Sequence, residues 1–340
     1  MQETWAALER DAFRIDEPSI DLLGGIAGAL ASTAPLVIGA ATNHIEAGMI
    51  AALAGLEVVL GTPSRGPDRA RWGLITLAGT IVAVAVGTVL AQRTVVLVAA
   101  TILAVALTAE MRRAGRSGAL SGFAIGAVLV IAGGLPPGEV GPRTLWFAIG
   151  GAVGLALTLA AGRVRGAAEG DERDPGSPIP TRRLHAHAAR TSIAVGGGLA
   201  GARIATLAFG YWVPLTTLAV LQPEAHASWV RMIQRSLGTF VGAAAVAAAL
   251  VLTDQPTSLI PLVGISSLAL FSLRDRSYFW LVLCLTPTAL LIVGIGTASG
   301  GDVAGDRVVA TVLGVTVAAV ANMATIAWIR WRRRGQPRPR

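Results

Sequence analysis

Long apolar runs recur along this chain, separated by short breaks that hold most of its charge. A helix of about 20 apolar residues rises about 30 Å, the thickness of a bilayer's hydrocarbon core. In lipid the backbone must satisfy its own N–H and C=O groups, and a helix does so within one segment. Repeated runs of this length therefore restrict the fold to an all-α polytopic membrane protein. Charged residues make up 14% of the chain, against about 25% in soluble proteins, which excludes an ordinary soluble domain.

Twelve transmembrane spans are predicted: 21–42, 45–61, 72–91, 94–110, 117–134, 142–162, 189–209, 211–228, 232–253, 256–273, 277–297 and 308–329. They form two six-helix halves, 21–162 and 189–329. Segments 1–20, 163–188 and 330–340 are expected in the cytoplasm. The eighth span is short and interrupted by Pro214 and Pro223, so it belongs in the interior or beside a wet path. A count of ten or eleven is the alternative.

Arginine orients the chain. With the N-terminus inside, 24 arginines fall on cytoplasmic segments, and 3 (Arg93, Arg143 and Arg307) lie outside, while Arg203 sits within a span. Basic residues concentrate on cytoplasmic loops, so both termini are placed in the cytoplasm of a plasma or inner membrane. The net charge of +8 is accordingly a topology signal, and no nucleic-acid partner is expected. Residues 1–21 lack a basic region followed by an apolar one, so a cleaved signal peptide is not expected. Trp5, Leu8 and Phe13 suit a short surface helix or a solvated tail.

The two halves share short patterns. Arg143…Gly150 lies beside Arg307…Gly314, and Leu77-Ala-Gly79-Thr80 beside Ser236-Leu237-Gly238-Thr239. An even-numbered unit inserts twice in the same orientation. Two parallel repeats about a pseudo-two-fold axis along the membrane normal are expected. Glycines such as Gly150, Gly198, Gly238 and Gly242 suit close helix packing in lipid. The linker, with Glu169, Asp171, Glu172 and Asp174, reads as a solvated connection.

One stretch carries a family pattern: Tyr211-Trp212-x-Pro214-x-Thr216, then Gln222-Pro223, then Arg235-x-x-Gly238-Thr239-x-x-Gly242. It resembles the fusaric acid resistance protein-like (FUSC) membrane proteins of the aromatic acid exporter superfamily. The likeness covers roughly residues 190–330, and the first half joins it only through the repeat. The resemblance implies an exporter of organic anions, typically aromatic carboxylates, energised by the proton gradient along a path between the halves. Many members of that family also carry a large cytoplasmic domain; here the halves are joined by a short linker.

An anion in the membrane needs buried positive charge or donors. Arg203 and Arg235 are the first candidates for the substrate path, as an intramembrane and a motif arginine. Arg143 and Arg307, with Arg93, are candidates for an outer ring. Each has a plain alternative in snorkelling or lipid-phosphate contact. Tyr211, Trp212 and Thr216 are candidates for contact with an aromatic substrate, or for interface anchoring. Glu57 is a candidate proton site or ion-pair partner. His185 and His187 make a weak metal pattern, Cys284 is single, and no catalytic constellation or cofactor motif is present. The expected partners are the lipid bilayer and a small organic anion, with a homo-oligomer or an accessory protein left open. A passive anion channel and a non-transporting membrane scaffold are the alternative functions.

Overall fold

The computed structural model describes residues 20–165, 179–251, 255–297 and 300–334. Twelve α-helices follow one another among them: α1 Leu22–Ala41, α2 Ile45–Gly61, α3 Arg69–Leu90, α4 Thr94–Glu110, α5 Gly115–Gly134, α6 Val140–Arg165, α7 Thr181–Ile204, α8 Trp212–Val220, α9 Ala225–Val251, α10 Ile260–Leu273, α11 Tyr278–Thr297 and α12 Gly300–Arg334. No strand occurs among the described residues. Seven stretches are long and apolar enough to cross a membrane, one of them the 41-residue Thr94–Gly134 that covers α4 and α5. Large apolar side chains such as Val82, Val95, Leu103, Leu107, Ile193 and Ile265 point outward and are exposed. In water such a surface would aggregate; in lipid it is solvated. The protein is a multi-pass, all-helical membrane protein in contact with the bilayer.

Several boundaries differ from the sequence expectation. The α7 helix begins at Thr181, inside the expected linker, and ends at Ile204. Its first turns are polar and arginine-rich, so hydropathy misses them. The expected eighth span shrinks to the nine residues of α8, because Leu221 turns to extended backbone ahead of Gln222-Pro223. A residue before proline avoids the helical region. The chain re-enters a helix at Ala225, seven residues before the expected start. The surface helix expected near Trp5 and Phe13, the acidic linker residues and the end of the tail lie outside the described residues.

The packing has a regular plan. Within 20–165, α1 packs on α2 and α6, α2 on α3 and α6, α3 on α5 and α6, and α4 on α5. Within 179–334, α7 packs on α8 and α12, α8 on α9 and α12, α9 on α11 and α12, and α10 on α11. Across the two sets, α1 meets α10 and α4 meets α7, while α2 meets α11 and α5 meets α8. Each of these relations in the first set has its counterpart six helices later, whereas the packing of α2 on α5 has none. The turns agree as well. After α1 the N–H groups of Thr42, Asn43 and His44 donate to the carbonyls of Ile38, Ala40 and Gly39. After α7 those of Ala205, Thr206 and Leu207 donate to Gly201, Arg203 and Ala202. Asn43 and Thr206 hold the left-handed position with φ of 58° and 49°, as a helix C-terminus of this type requires. For β-branched Thr206 that conformation is strained.

The short helices α2 and α8 are the centre of each set. Nearly every residue of α2 from Gly48 to Gly61, and all of α8 except Leu218, is buried. The other helices wrap them and face lipid.

Candidate functional site

Helix α8 starts immediately after the strained turn, with Tyr211 as its N-cap and Trp212 as its first residue. Their rings lie 4.9 Å apart. Helix α12 runs alongside, and Gly314 fixes its register. A Cβ at Gly314 would lie 2.6 Å from the Val213 carbonyl oxygen, so only glycine permits this approach. The Thr217 hydroxyl then donates to the Gly314 carbonyl at 3.1 Å. Two turns earlier on α12, this register sets the Arg307 guanidinium 3.9 Å from the centre of the Trp212 ring. Arg307 is 2% exposed.

Glycines also seat α9. Gly238 and Gly242 sit against Val282, Leu283 and Thr286 of α11. Arg235 is buried at 4% exposure, within electrostatic range of Arg307. Glu57, from α2, is within range of Arg235. Tyr211 and Tyr278 lie in the field of Arg307, and the Arg231 guanidinium sits 4.6 Å over the Tyr278 ring. Arg235 thus lies between the field of one carboxylate and that of a second buried guanidinium group, and neither arginine forms an ion pair among the described residues. The polar groups around them are unanswered. Glu57 Oε2, Tyr211 Oη, Trp212 Nε1, Thr216 Oγ1, Arg235 Nε, Thr239 Oγ1, Arg307 Nη1 and Thr311 Oγ1 are buried with no hydrogen-bond partner. Buried polar atoms are ordinarily satisfied. A group of them beside excess positive charge is an arrangement that can take up an anion with an aromatic or hydroxyl-accepting body.

Six residues singled out from sequence are therefore brought to this region: Arg235, Arg307, Tyr211, Trp212, Thr216 and Glu57. Three others are elsewhere. Arg203 is the next-to-last residue of α7, at its end and not in mid-span, and donates to the Gly133 carbonyl at the end of α5. Arg93 is the exposed N-cap of α4. Arg143, on α6, donates to the Pro136 carbonyl at 2.8 Å. It lines a narrow crevice with Ile50, Leu53, Glu57, Val84, Val128 and Phe147. Sequence reasoning missed Thr239 and Thr311 as site residues. Both stand four residues after a site arginine, on the same helix face, and that spacing was the available signal. Tyr278 had none beyond its place after a basic loop.

At the end of the bundle where α8 stops, motif residue Gln222 is a brace. Its amide N–H donates to Ser228 at 2.9 Å, its side-chain oxygen accepts from Arg112 at 3.4 Å, and its carbonyl accepts from Arg190. His187 lies beside them, with Nδ1 3.2 Å from Thr191 Oγ1 and 3.5 Å from Arg190 Nη2. Arginine can only donate, so Nδ1 accepts and the proton of the neutral ring sits on Nε2. Burial, then the charges of Arg112 and Arg190, pushes the His187 pKa down to about 3. Among the described residues no cluster of His, Cys, Asp and Glu could hold a metal. Elsewhere in the bundle, Arg274 donates to the Val59 carbonyl at 2.8 Å, and Asp275 accepts from Ser64 at 3.0 Å and pairs with Arg116. Asp21 pairs with Arg165. Burial opposes ionisation of Asp275, but Arg274, Arg116 and Ser64 together hold its pKa below the usual carboxylate value.

Residues 196–321 match the family model described as fusaric acid resistance protein-like. The inner membrane protein YccS of Escherichia coli is 31% identical over 159 residues, 47% of this chain and 22% of that protein. The uncharacterized protein slr1298 of Synechocystis is 32% identical over 127 residues, 36% of this chain and 17% of that protein. An uncharacterized protein of Haemophilus influenzae is 30% identical over 152 residues, 44% of this chain and 20% of that protein. The chain spans about a fifth of the length of these curated relatives. No solved structure matches it.

Proposed function

From the match of residues 196–321 to the fusaric acid resistance protein-like family, we propose that this chain is an inner-membrane transporter that exports organic anions, aromatic carboxylates among them, at the expense of the proton gradient. The observation that carries this reading is the buried, unpaired Arg307 stacked on Trp212, with Arg235 in its field. A carboxylate would answer the two guanidinium groups, and an aromatic body would continue the ring stack of Tyr211 and Trp212. Pairing an anion there repays the desolvation that a bare charge incurs in the membrane interior.

The proposed scaffold is twelve spans in two parallel six-helix repeats, residues 21–162 and 189–329, with both termini and the linker 163–188 in the cytoplasm. The matched packing of α1–α6 and α7–α12 supports it, as do the matched turns at Asn43 and Thr206. Gly150 against Ala51 on α2 and Gly314 against Val213 on α8 repeat one helix contact, with an arginine seven residues before each glycine.

The test is efflux of benzoate from proteoliposomes under an imposed proton gradient. Gradient-dependent efflux, abolished by Arg307→Ala, is expected. Benzoate flux indifferent to the gradient, with unitary currents in a planar bilayer, would replace the coupled exporter by an anion channel. No flux in either assay would leave the scaffold reading.

A further inference from the structure

We propose that this structure is the cytoplasm-closed state of the transporter, and that Arg274 and Asp275, in the turn between α10 and α11, form the clasp that must leave the end of α2 before an anion can enter. This rests on the anion-transport reading above and adds the device that opens its path on one side.

The polar bonds that join α1–α6 to α7–α12 gather at one end of the bundle. Asp275 reaches into the first set with both oxygens. Oδ2 accepts from the Ser64 hydroxyl at 3.0 Å, and Oδ1 pairs with Arg116. Beside it, Arg274 donates to the carbonyls of Val59 and Thr62 at 2.8 and 3.3 Å, and so caps the end of α2. The residues after α4 reach the other way. Arg112 donates to the Gln222 side chain at 3.4 Å, and an Arg113 nitrogen lies 2.8 Å from His185 Nε2. The Asp21 N–H donates to the Ser272 carbonyl at the same end, at 3.1 Å. At the opposite end Arg203 donates across to the Gly133 carbonyl, and no ion pair joins the sets there among the described residues. In the proposed topology the heavily bonded end is the cytoplasmic one.

The clasp is graded for release. Asp275 and Arg116 keep 26% and 59% of their side chains exposed. Water reaches both when the turn moves, so their bonds are exchanged for solvent bonds at small net cost. Arg274 is the less exposed partner, and its Nε lies 4.0 Å from Asp275 Oδ2. Loss of the Asp275 carboxylate therefore weakens both grips on the first set. The same turn leads into Tyr278, the first residue of α11, whose ring lies 4.6 Å from the Arg231 guanidinium. Arg231 stands one helical turn before Arg235 on the same face of α9. Withdrawal of the turn thus uncovers the cytoplasmic approach to Arg235 and Arg307.

The experiment reads the exposure of one cysteine and needs no substrate. Ala219 is buried in the last turn of α8, three residues after Thr216 on the same face. Ala219→Cys is made in the full chain carrying Cys284→Ser, and inside-out vesicles are treated with a membrane-impermeant sulfonated maleimide. Slow labelling is expected. Asp275→Asn should speed it roughly tenfold, the scale of a hydrogen bond lost from a charged group. Arg116→Gln attacks the clasp from the other side and should act in the same direction, so the reading survives if one variant fails to fold. Arg203→Gln, which breaks the joint at the opposite end, should not speed it. Fast labelling before any clasp substitution would overturn the closed state. Unchanged labelling in the folded clasp variants, or equal acceleration by Arg203→Gln, would overturn the clasp and leave the anion reading standing. Faster labelling in the clasp variants alone, with no benzoate flux in proteoliposomes, keeps the clasp and overturns the anion reading.

Discussion

Helices α2, α3, α5 and α6 and helices α8, α9, α11 and α12 share several packing relations and differ in the residues they line up between them. In the first, the positions matching Trp212/Thr216, Arg235/Thr239 and Arg307/Thr311 are Ile50/Ala54, Thr76/Thr80 and Arg143/Phe147. Thr76 is fully satisfied there, donating to or accepting from Gly61, Trp72 and Ser121 at 2.8–3.1 Å, and Thr80 donates to Leu77 at 3.0 Å. In the second, the side chains at the matching positions are left with open donors and acceptors. Packing that is held by backbone and glycine contacts leaves the lining free to diverge. In the first group the threonines close on their neighbours, while Glu57 Oε2 and Arg143 Nη1 stay open; in the second all three pairs keep open groups.

The comparison can be broken most sharply at its arginines. Arg307→Ala should reduce benzoate export on the order of a hundredfold, the scale of about 2–5 kcal/mol for removing one partner of a buried charge interaction. Arg143→Ala should leave export within a few-fold, since its guanidinium is engaged by the Pro136 carbonyl. Equal losses in a transport assay would end the distinction between the halves.

The shared packing is tested next. A Cβ at Gly150 would lie 2.1 Å from the Ala51 carbonyl oxygen, and one at Gly314 2.6 Å from that of Val213. Val at either position should destabilise the fold by about 1–3 kcal/mol or more, as overpacking does, and so lower the thermal midpoint in detergent. Gly197→Ala should be tolerated, because nothing lies within 4 Å of its added Cβ. Trp212→Leu should weaken benzoate binding by roughly tenfold through the lost cation–π and ring contacts, which are worth up to about 2 kcal/mol when desolvated. Ile50→Leu, at the matching place, should change it little.

The smallest effect belongs to pH. The folded pKa of His187, about 3, lies below its unfolded value near 6.5. The unfolded chain therefore binds the proton more readily. The stability this ring confers is complete above about pH 6.5 and is lost as pH falls toward 3. His187→Gln should flatten the acid limb of the melting temperature. No histidine stands at the corresponding place in α1, which carries Gly24.

Much of the helix order was legible in the apolar runs, because lipid exposure demands long uninterrupted hydrophobicity. The limits of α7 and α9 were not, since Thr181–Arg190 and Ala225–Arg231 are polar helix that packs against protein and water. Arg235, Arg307 and Trp212 stood out as polar or aromatic residues in a motif or at a rarely basic helix start. Arg203 stood out for the same reason and turned out to cap α5, because an arginine at a helix end and one in mid-span look alike until the end is known. The partnership of Glu57 with Arg235 was invisible, as it joins residues 178 positions apart through three-dimensional packing alone.

The brevity of α8 has an electrical consequence. Nine residues cover about 13 Å of a hydrocarbon core about 30 Å thick. On either side the chain runs through non-helical backbone, Ala205–Gly210 and Leu221–Glu224, held by turn and brace hydrogen bonds. In the proposed transporter this short helix, with Trp212 and Arg307 beside it, would be the part of the path that the membrane voltage acts on. An anion displaced by one short helix length would traverse much of the potential, worth about 2.3 kcal/mol per charge at 100 mV. If the proposed export holds, its turnover should accordingly steepen with membrane voltage even though the anion moves only a short way.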